Sequence, residues 1–313
     1  MFRKLKYIVI FFFLIFTIFN FYNSYFVVRA KASDFFYVGG KGIGNYTFIQ
    51  NAINNSNEGD IIKVYNGNYT ENIVINKSIC LLGEDKNNVT IYGENGLYSV
   101  LIKSPNITIS GFTIKKSNVG LLISGSDYNS CNITNNIFTK NYEAIRIINS
   151  SENNISKNII KQNLHLGIVL YDSNFNFIYN NTFIENNKVV YLGRWSNCNI
   201  IFHNNLTYYN YGIHIDYSFN NQITRNLIKN GDFGIQLTSS KNNNITNNYI
   251  GNNNQIGIFT SSSDENMIYP NIFINNNQDV SKKTRPPDIK TPGFEFILVF
   301  IAIFFITLVK KNR

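Results

Sequence analysis

The stretch N-Q-I-T-R-N-L-I-K-N-G-D-F-G-I-Q-L-T-S-S (residues 221–240) decides the fold, because it is one of seven near-copies. Within it Ile223 is followed three residues on by Asn226 and two later by Ile228, and Gly234-Ile235 and Ser240 complete the unit. The Asn226 column recurs at Asn136, Asn158, Asn181, Asn204, Asn248 and Asn271, in steps of 22 or 23 residues. An apolar residue stands two places after each, and a further asparagine often follows, at Asn141, Asn163, Asn186, Asn253 and Asn276. A small residue and an aliphatic then open a second apolar run, as in Gly120-Leu121, Ala144-Ile145, Gly167-Ile168, Gly212-Ile213 and Gly257-Ile258. Each unit closes on a serine: Ser126, Ser150, Ser173, Ser196, Ser218, Ser240 and Ser263.

Within a unit the apolar residues alternate with period two, the signature of strands with one buried face. Three short strands cannot bury that face alone, so the units must stack, each strand pairing with its copies above and below. The expected fold is all-β, a right-handed parallel β-helix of about 22-residue coils. A leucine-rich repeat shares the period, but these units are built on isoleucine and asparagine and leave no room for a helix. Asparagine is expected at the corners because it tolerates left-handed backbone angles, and stacked amides hydrogen-bond along a ladder.

Outward from the array, residues 59–281 form the solenoid and residues 33–58 an N-terminal cap. In the cap a glycine-rich entry (residues 34–44) precedes a short helix with Phe48, Ile49, Ala52 and Ile53 on one face. The first coils are less regular, with turns at Asn66-Gly67 and Gly83-Glu84. Residues 1–32 have the parts of a secretory signal: a basic start, an apolar run over residues 8–19 interrupted only by Thr17, and small residues Ala30 and Ala32 before the cleavage point. Residues 282–293 form a linker and residues 294–313 a hydrophobic helix with a basic end, Lys310-Lys311-Asn312-Arg313. Terminal cations stay in the cytoplasm, so the solenoid is expected outside the membrane.

Charge supports this division. The chain carries a net +9, but residues 1–32 hold five basic and no acidic side chains, and residues 282–313 hold seven basic and two acidic. The remaining 16 basic and 17 acidic groups nearly cancel, which leaves no basic footprint for nucleic acid. Three cysteines are too few for a disulfide framework; Cys131 and Cys198 stand three coils apart, and a buried apolar role is expected, most clearly for Cys80 in I-C-L-L.

The stretches G-D-I-I-K-V-Y-N-G-N-Y-T-E-N-I-V-I-N-K-S-I-C-L-L-G-E-D (residues 59–85) and N-I-T-I-S-G-F-T-I (residues 106–114) resemble the opening coils of a large β-helix family. That family includes NosD-type periplasmic proteins and carbohydrate-binding or sugar-hydrolase β-helix domains. The resemblance implies three functions: copper-site maturation, a polysaccharide lyase or glycoside hydrolase, and a non-catalytic surface protein. The tail, with Pro292, Gly293 and Phe294 before the apolar helix, resembles the archaeal PGF-type sorting signal, which implies a sorting peptidase as partner and removal of the tail.

Copper needs clustered soft ligands, whereas His165, His203 and His214 stand on different coils and Met267 is the one methionine left after signal removal. No cofactor is therefore expected; calcium would enter only with lyase chemistry. Sugar chemistry needs paired carboxylates or an acid and a base. The best candidates are Asp172, Arg194 and Asp216, with Tyr171, Trp195, His214 and Tyr217 as ligand-binding neighbours, all just before the serine column. The competing structural reading stacks Arg194 between Asp172 and Asp216 as an ion-pair ladder. The expectation is an exported, membrane-anchored surface protein that recognises glycans or cell-envelope components without catalysis, with polysaccharide cleavage as the alternative. Acceptor sequons such as Asn45, Asn68, Asn76, Asn106, Asn132, Asn154, Asn180, Asn205 and Asn244 are abundant.

Overall fold

The computed structural model describes residues 33–93 and 96–283, and the solenoid unit begins at Phe35. The export signal with Ala30 and Ala32, and the tail with Pro292, Gly293 and Phe294, lie outside the described residues. Among the described residues no helix is long and apolar enough to cross a membrane.

Every strand pairing is parallel, and the strands gather into a ten-stranded and a seventeen-stranded sheet. A regular coil contributes a first strand to the smaller sheet (Asn132–Thr134) and a second and third to the larger (Ile137–Thr139 and Glu143–Ile148). In three coils the second and third strands run together as Thr182–Gly193, Asn205–Asp216 and Leu227–Thr238. Strand alternation sends one isoleucine per first strand inward, so Ile133, Ile155, Ile178, Ile201, Ile223 and Ile245 stack in register with no solvent exposure. Parallel strands of neighbouring coils are ~4.8 Å apart, which lets each inward side chain pack on its own copy.

The N-terminal end is covered by helix α1 (Ile49–Asn55), which buries Ile49, Ala52 and Ile53 and leaves Phe48 half exposed at its start. Glu71 accepts hydrogen bonds from the backbone N–H of Ile49 (2.9 Å) and Gln50 (3.0 Å), satisfying two donors that a helix start leaves unpaired. Residues 34–44 are not only a turn-rich entry: Phe35–Val38 pairs with Ile61–Val64 and is the first strand of the smaller sheet. Gly67 likewise opens a strand, Gly67–Thr70, where a turn is expected from Asn66-Gly67.

Three asparagine columns hold the coil corners. From Asn136 to Asn271 each side-chain Nδ2 donates to the next Oδ1 at 3.0–3.3 Å, and the same Oδ1 accepts the backbone N–H of the coil before. A second column, Asn141-Asn163-Asn186, is interrupted at Tyr209 and Gly231; the Tyr209 side chain lies over Gly231 and its hydroxyl donates to Asn253 Oδ1 at 2.8 Å. A third column, Asn153, Asn176, Asn199, Asn221, Asn243 and Asn266, starts beneath Cys131, whose backbone N–H donates to Asn153 Oδ1. The serine column is weaker: each hydroxyl oxygen from Ser173 to Ser263 accepts one backbone N–H at 3.0–3.3 Å.

These columns correct three expectations. The ladder asparagines do not adopt left-handed angles; the residue before each does, except Pro270 before Asn271, as in Lys157 (φ 55°), His203 (φ 54°) and Arg225 (φ 55°). Asparagine is selected because its amide satisfies buried main-chain groups, and the corner itself tolerates lysine, histidine or arginine. Ser126 stands outside the serine ladder, exposed, with its hydroxyl turned to Asp127. Cys80 points away from the core because its neighbour Leu81 takes the inward position, and Cys131 is the fully buried thiol; burial raises its pKa to about 11.

Replacing Asn226 by alanine takes the acceptor away from the Asn204 backbone N–H, breaks one of the bonds made by Asn204 Nδ2, and removes the side-chain donor to the Ile201 carbonyl in a buried corner. The expected loss is about 1–3 kcal/mol, read as a lower thermal midpoint. Arg225→Ala, at the left-handed position beside it, is expected to change stability by less than about 0.5 kcal/mol; equal losses in the two variants would contradict the amide-ladder account.

Candidate functional site

Ladder and core residues occupy the inward positions and the corners, so side chains free for recognition stand on the outward faces of the strands. On the third strands the outward columns are in register: Tyr191, His214 and Gln236 form one, which the covered Val169 continues, and Lys188, Tyr211 and Phe233 form another. They make a continuous face of rings and charges. Tyr191 meets Tyr171 edge-on at 5.8 Å between ring centroids and His214 at 5.2 Å. Tyr211 stacks on Phe233 at 5.2 Å with the planes 4° apart, and Phe233 meets Phe259 edge-on. Lys188 Nζ lies 5.9 Å from the Tyr191 ring and 5.2 Å from the Tyr211 ring, while the Arg194 guanidinium lies 5.3 Å over Tyr171.

The polar groups on this face are tied to one another. The Tyr191 hydroxyl donates to Asp216 Oδ2 at 3.0 Å. Burial first, and then the Asp216 charge, push the Tyr191 pKa up, so the phenol stays protonated. Burial also raises the Tyr171 pKa, with Glu143 adding to it. His214 is pushed down to about 4 by burial and by the Lys188 charge, against the opposing pull of Asp216; its ring is neutral near pH 7. Its Nε2 lies 3.4 Å from Thr238 Oγ1, and its Nδ1 is buried without a partner. Two coils nearer the N-terminus, Arg146 makes paired 2.7 Å bonds to Glu143, which strengthens the guanidinium's hold on its proton. His165 stacks on Tyr142 and lies 3.7 Å from Glu143.

Of the residues singled out from the sequence, the structure gathers Tyr171, Arg194, His214 and Asp216 around Tyr191. It does not gather Asp172, Trp195 and Tyr217 there. Asp172, Arg194, Trp195 and Tyr217 all take left-handed corner angles (φ 48°, 51°, 65° and 45°). Trp195 turns toward Phe219 at 5.6 Å, and Tyr217 is 53% exposed. The expected Asp172–Arg194–Asp216 ion-pair ladder does not form. Leu192 pairs with Ile215, so Asp216 lies level with Gly193 rather than with Arg194, and Asp172 meets Arg194 only through its backbone N–H. Residues 194–195 place two consecutive left-handed residues in that corner, which throws the charges out of line. Lys188, Tyr191 and Tyr211 escape a search along the serine column. Their signal is the outward position on either side of the small-aliphatic pair, before it for Lys188 and Tyr211 and after it for Tyr191, and Val189 hides it by replacing the usual small residue.

Metal donors are scattered. His165 stands against Glu143, His203 occupies a first-strand corner against Phe202, and His214 belongs to the face above. Among the described residues no three histidine, cysteine, aspartate or glutamate side chains converge as a metal site.

Comparison with known proteins places this geometry in a family. A cell surface glycoprotein of Methanothermus fervidus is 36% identical over 93 residues, which are 29% of this chain and 15% of that protein. The A-module of Azotobacter vinelandii mannuronan C-5 epimerase AlgE6 superposes with a TM-score of 0.50 at 12% identity, over 77% of this chain and 95% of that one. A double mutant of the periplasmic alginate epimerase AlgG gives a TM-score of 0.49 at 17% identity, over 76% of this chain and 61% of that one. At these identities the structural likeness is one of fold. The family model described as periplasmic copper-binding protein (NosD) matches residues 27–199 and 190–290, and by that match over most of its length the chain belongs to the NosD family.

Proposed function

We propose that this is an exported, membrane-anchored surface protein whose solenoid binds glycans or other cell-envelope components along the outward face of its third strands, without turning them over. One observation carries the reading: a row of rings, Tyr171, Tyr191, Tyr211 and Phe233, runs coil to coil with Lys188 and Arg194 over it. Sugars present apolar C–H faces rimmed by hydroxyls, and an aromatic surface with a polar rim suits both. Arg146 is paired with Glu143, and Lys188 and Arg194 stand near Asp216, so the face carries only a small positive excess and has little bias toward a strongly charged polymer. Export and surface location are supported by the signal-like residues 1–32 and by the words "cell surface" and "periplasmic" in the names of the relative and the family. In this reading the C-terminal segment holds the protein to the membrane, either as an uncut apolar anchor or, once the sorting tail is removed, through a lipid on the new end.

A second reading, a polysaccharide lyase or glycoside hydrolase, is favoured by the Tyr191–Asp216 hydrogen bond beside a neutral His214. A lyase needs a base to take a carbon-bound proton and an acid to protonate the leaving oxygen, and a neutral imidazole near a phenol offers both. Against it, the phenol is committed to Asp216, and Glu143 is neutralised by Arg146, which leaves no free carboxylate pair. Copper does not fit the donors: the histidines stand apart, Met267 is on the far coils, and Cys131 is sealed in the core with a raised pKa.

With the full chain in detergent micelles and polysaccharide extracted from the source cells, Tyr171→Ala and Tyr211→Ala are each expected to weaken binding roughly tenfold, about 1.4 kcal/mol. Tyr179→Ala, on the outward face of the smaller sheet, should leave affinity unchanged. Release of unsaturated or reducing sugar, abolished by Asp216→Asn, would instead establish the enzymatic reading. His214 supplies a separate check. Its folded pKa of about 4 lies below the ordinary 6.5, so protonation favours the unfolded chain. The stability held by the neutral ring is complete above pH 6.5 and is lost as pH falls toward 4. Melting curves of the parent chain and His214→Gln should therefore converge in that window, and parallel curves would show that the ring is not desolvated.

A further inference from the structure

The acceptor sequons are spread over the whole solenoid, but the structure sorts them sharply. An N-linked glycan needs an amide nitrogen that can leave the protein surface and a hydroxyl two residues on that is free to be recognised with it. Asn132, Asn154 and Asn244 lie in first strands and Asn205 in a second, each half-buried between copies of the strand above and below. Asn154 Nδ2 donates to Asn132 Oδ1, and the Oδ1 atoms of Asn154, Asn205 and Asn244 are buried. At Asn45 and Asn88 the nitrogen is already committed, to Gly39 O and Asp85 Oδ2. At Asn54, Asn76 and Asn149 the asparagine is exposed, but the hydroxyl is engaged: Ser56 donates to Ile53 O at 2.9 Å, Ser78 donates to Pro105 O at 2.7 Å, and Ser151 accepts the Asn174 backbone N–H at 3.2 Å.

Three sequons escape every one of these restraints. Asn68, Asn106 and Asn180 are exposed with no side-chain hydrogen bond, and Thr70, Thr108 and Thr182 have uncommitted hydroxyls. Asn106 and Asn180 also stand at left-handed corners (φ 56° and 53°), where the chain protrudes from the stack. We infer that the protein is N-glycosylated at Asn68, Asn106 and Asn180, with a lipid-linked oligosaccharide as donor. In the transfer the asparagine Nδ2 forms a bond to the anomeric carbon. The bond from that carbon to the lipid phosphate oxygen breaks, the lipid phosphate leaves with the electron pair, and the amide proton passes to a base of the transferase. No sequon begins within a third strand between Val119–Ser124 and Gln278–Lys283. Asn68 belongs to a second strand, and Asn106 and Asn180 flank first strands. The sugar coat therefore leaves the Tyr191 face bare.

The inference rests on the export in the proposed function and not on the ligand named there. The test is glycopeptide mass spectrometry on the full chain isolated from membranes of its source cells, with a membrane-impermeant amine label applied to intact cells beforehand. Glycan on the Asn68, Asn106 and Asn180 peptides, with those of Asn154, Asn205 and Asn244 bare, is the expected result. Each Asn→Gln change at the three sites should remove one oligosaccharide mass from the intact protein. A labelled chain with the three sites bare, or with glycan on Asn154, Asn205 or Asn244, overturns the assignment while export stands. A chain that takes up no label overturns export, and the assignment falls with it.

Discussion

Stacking coils of about 22 residues places main-chain N–H and C=O groups at every corner where the strand ladders stop, and those groups are buried between coils. A buried unpaired amide costs about 1–3 kcal/mol, so a solenoid this long stands only if each corner is satisfied. The asparagine side chain does this with one group. Asn204, for example, accepts the Asn181 backbone N–H and side-chain amide on Oδ1, donates from Nδ2 to Asn226 Oδ1, and reaches the Ile178 carbonyl at 2.8 Å. The isoleucine stack fills the core, but the amide ladders fix the register in which it fills it.

This constraint also divides the residues into those that are scaffold and those that are free. Inward aliphatics and ladder asparagines are used by the scaffold, and the left-handed residues that precede nearly all of those asparagines have no side-chain identity demanded of them. Arg225, His203 and Phe175 share this backbone role. Function has room in two places only, the outward positions of strands and the corner side chains. The third-strand face uses the first. Where Tyr209 takes the place of a ladder asparagine, its ring packs against Gly231 and its hydroxyl takes over the hydrogen bond to Asn253.

Much of this was legible in the residues. The Asn226 column and its apolar neighbours repeat at constant offsets, so period, strand count and fold follow from counting. The column from Asn153 to Asn266 was harder to see, because its asparagine precedes the strand instead of following an isoleucine. The role of asparagine is not legible in composition, because the left-handed angle falls one residue earlier, where the residue types vary. Hydrophobicity alone does not place Cys80, because strand alternation with Leu81 decides which side chain turns inward. The site was legible in part. Asp216 and His214 stood out as charge and imidazole in an apolar pattern, while Tyr191 stayed hidden because tyrosine is common here and Val189 breaks the motif before it. The failure of Arg194 to meet Asp216 could not be read, because one extra left-handed residue in a corner is invisible until the register is known.

The central claim is that recognition belongs to the third-strand face. Hydroxyl-radical footprinting of the full chain, with and without envelope polysaccharide from the source cells, tests it most directly by reporting the accessibility of each aromatic side chain. The account predicts that oxidation of Tyr171, Tyr191 and Tyr211 falls on adding the polysaccharide while that of Phe177, Tyr179 and Phe202 on the smaller sheet is unchanged. Protection of Phe177, Tyr179 and Phe202 with the third-strand tyrosines unaffected would contradict it.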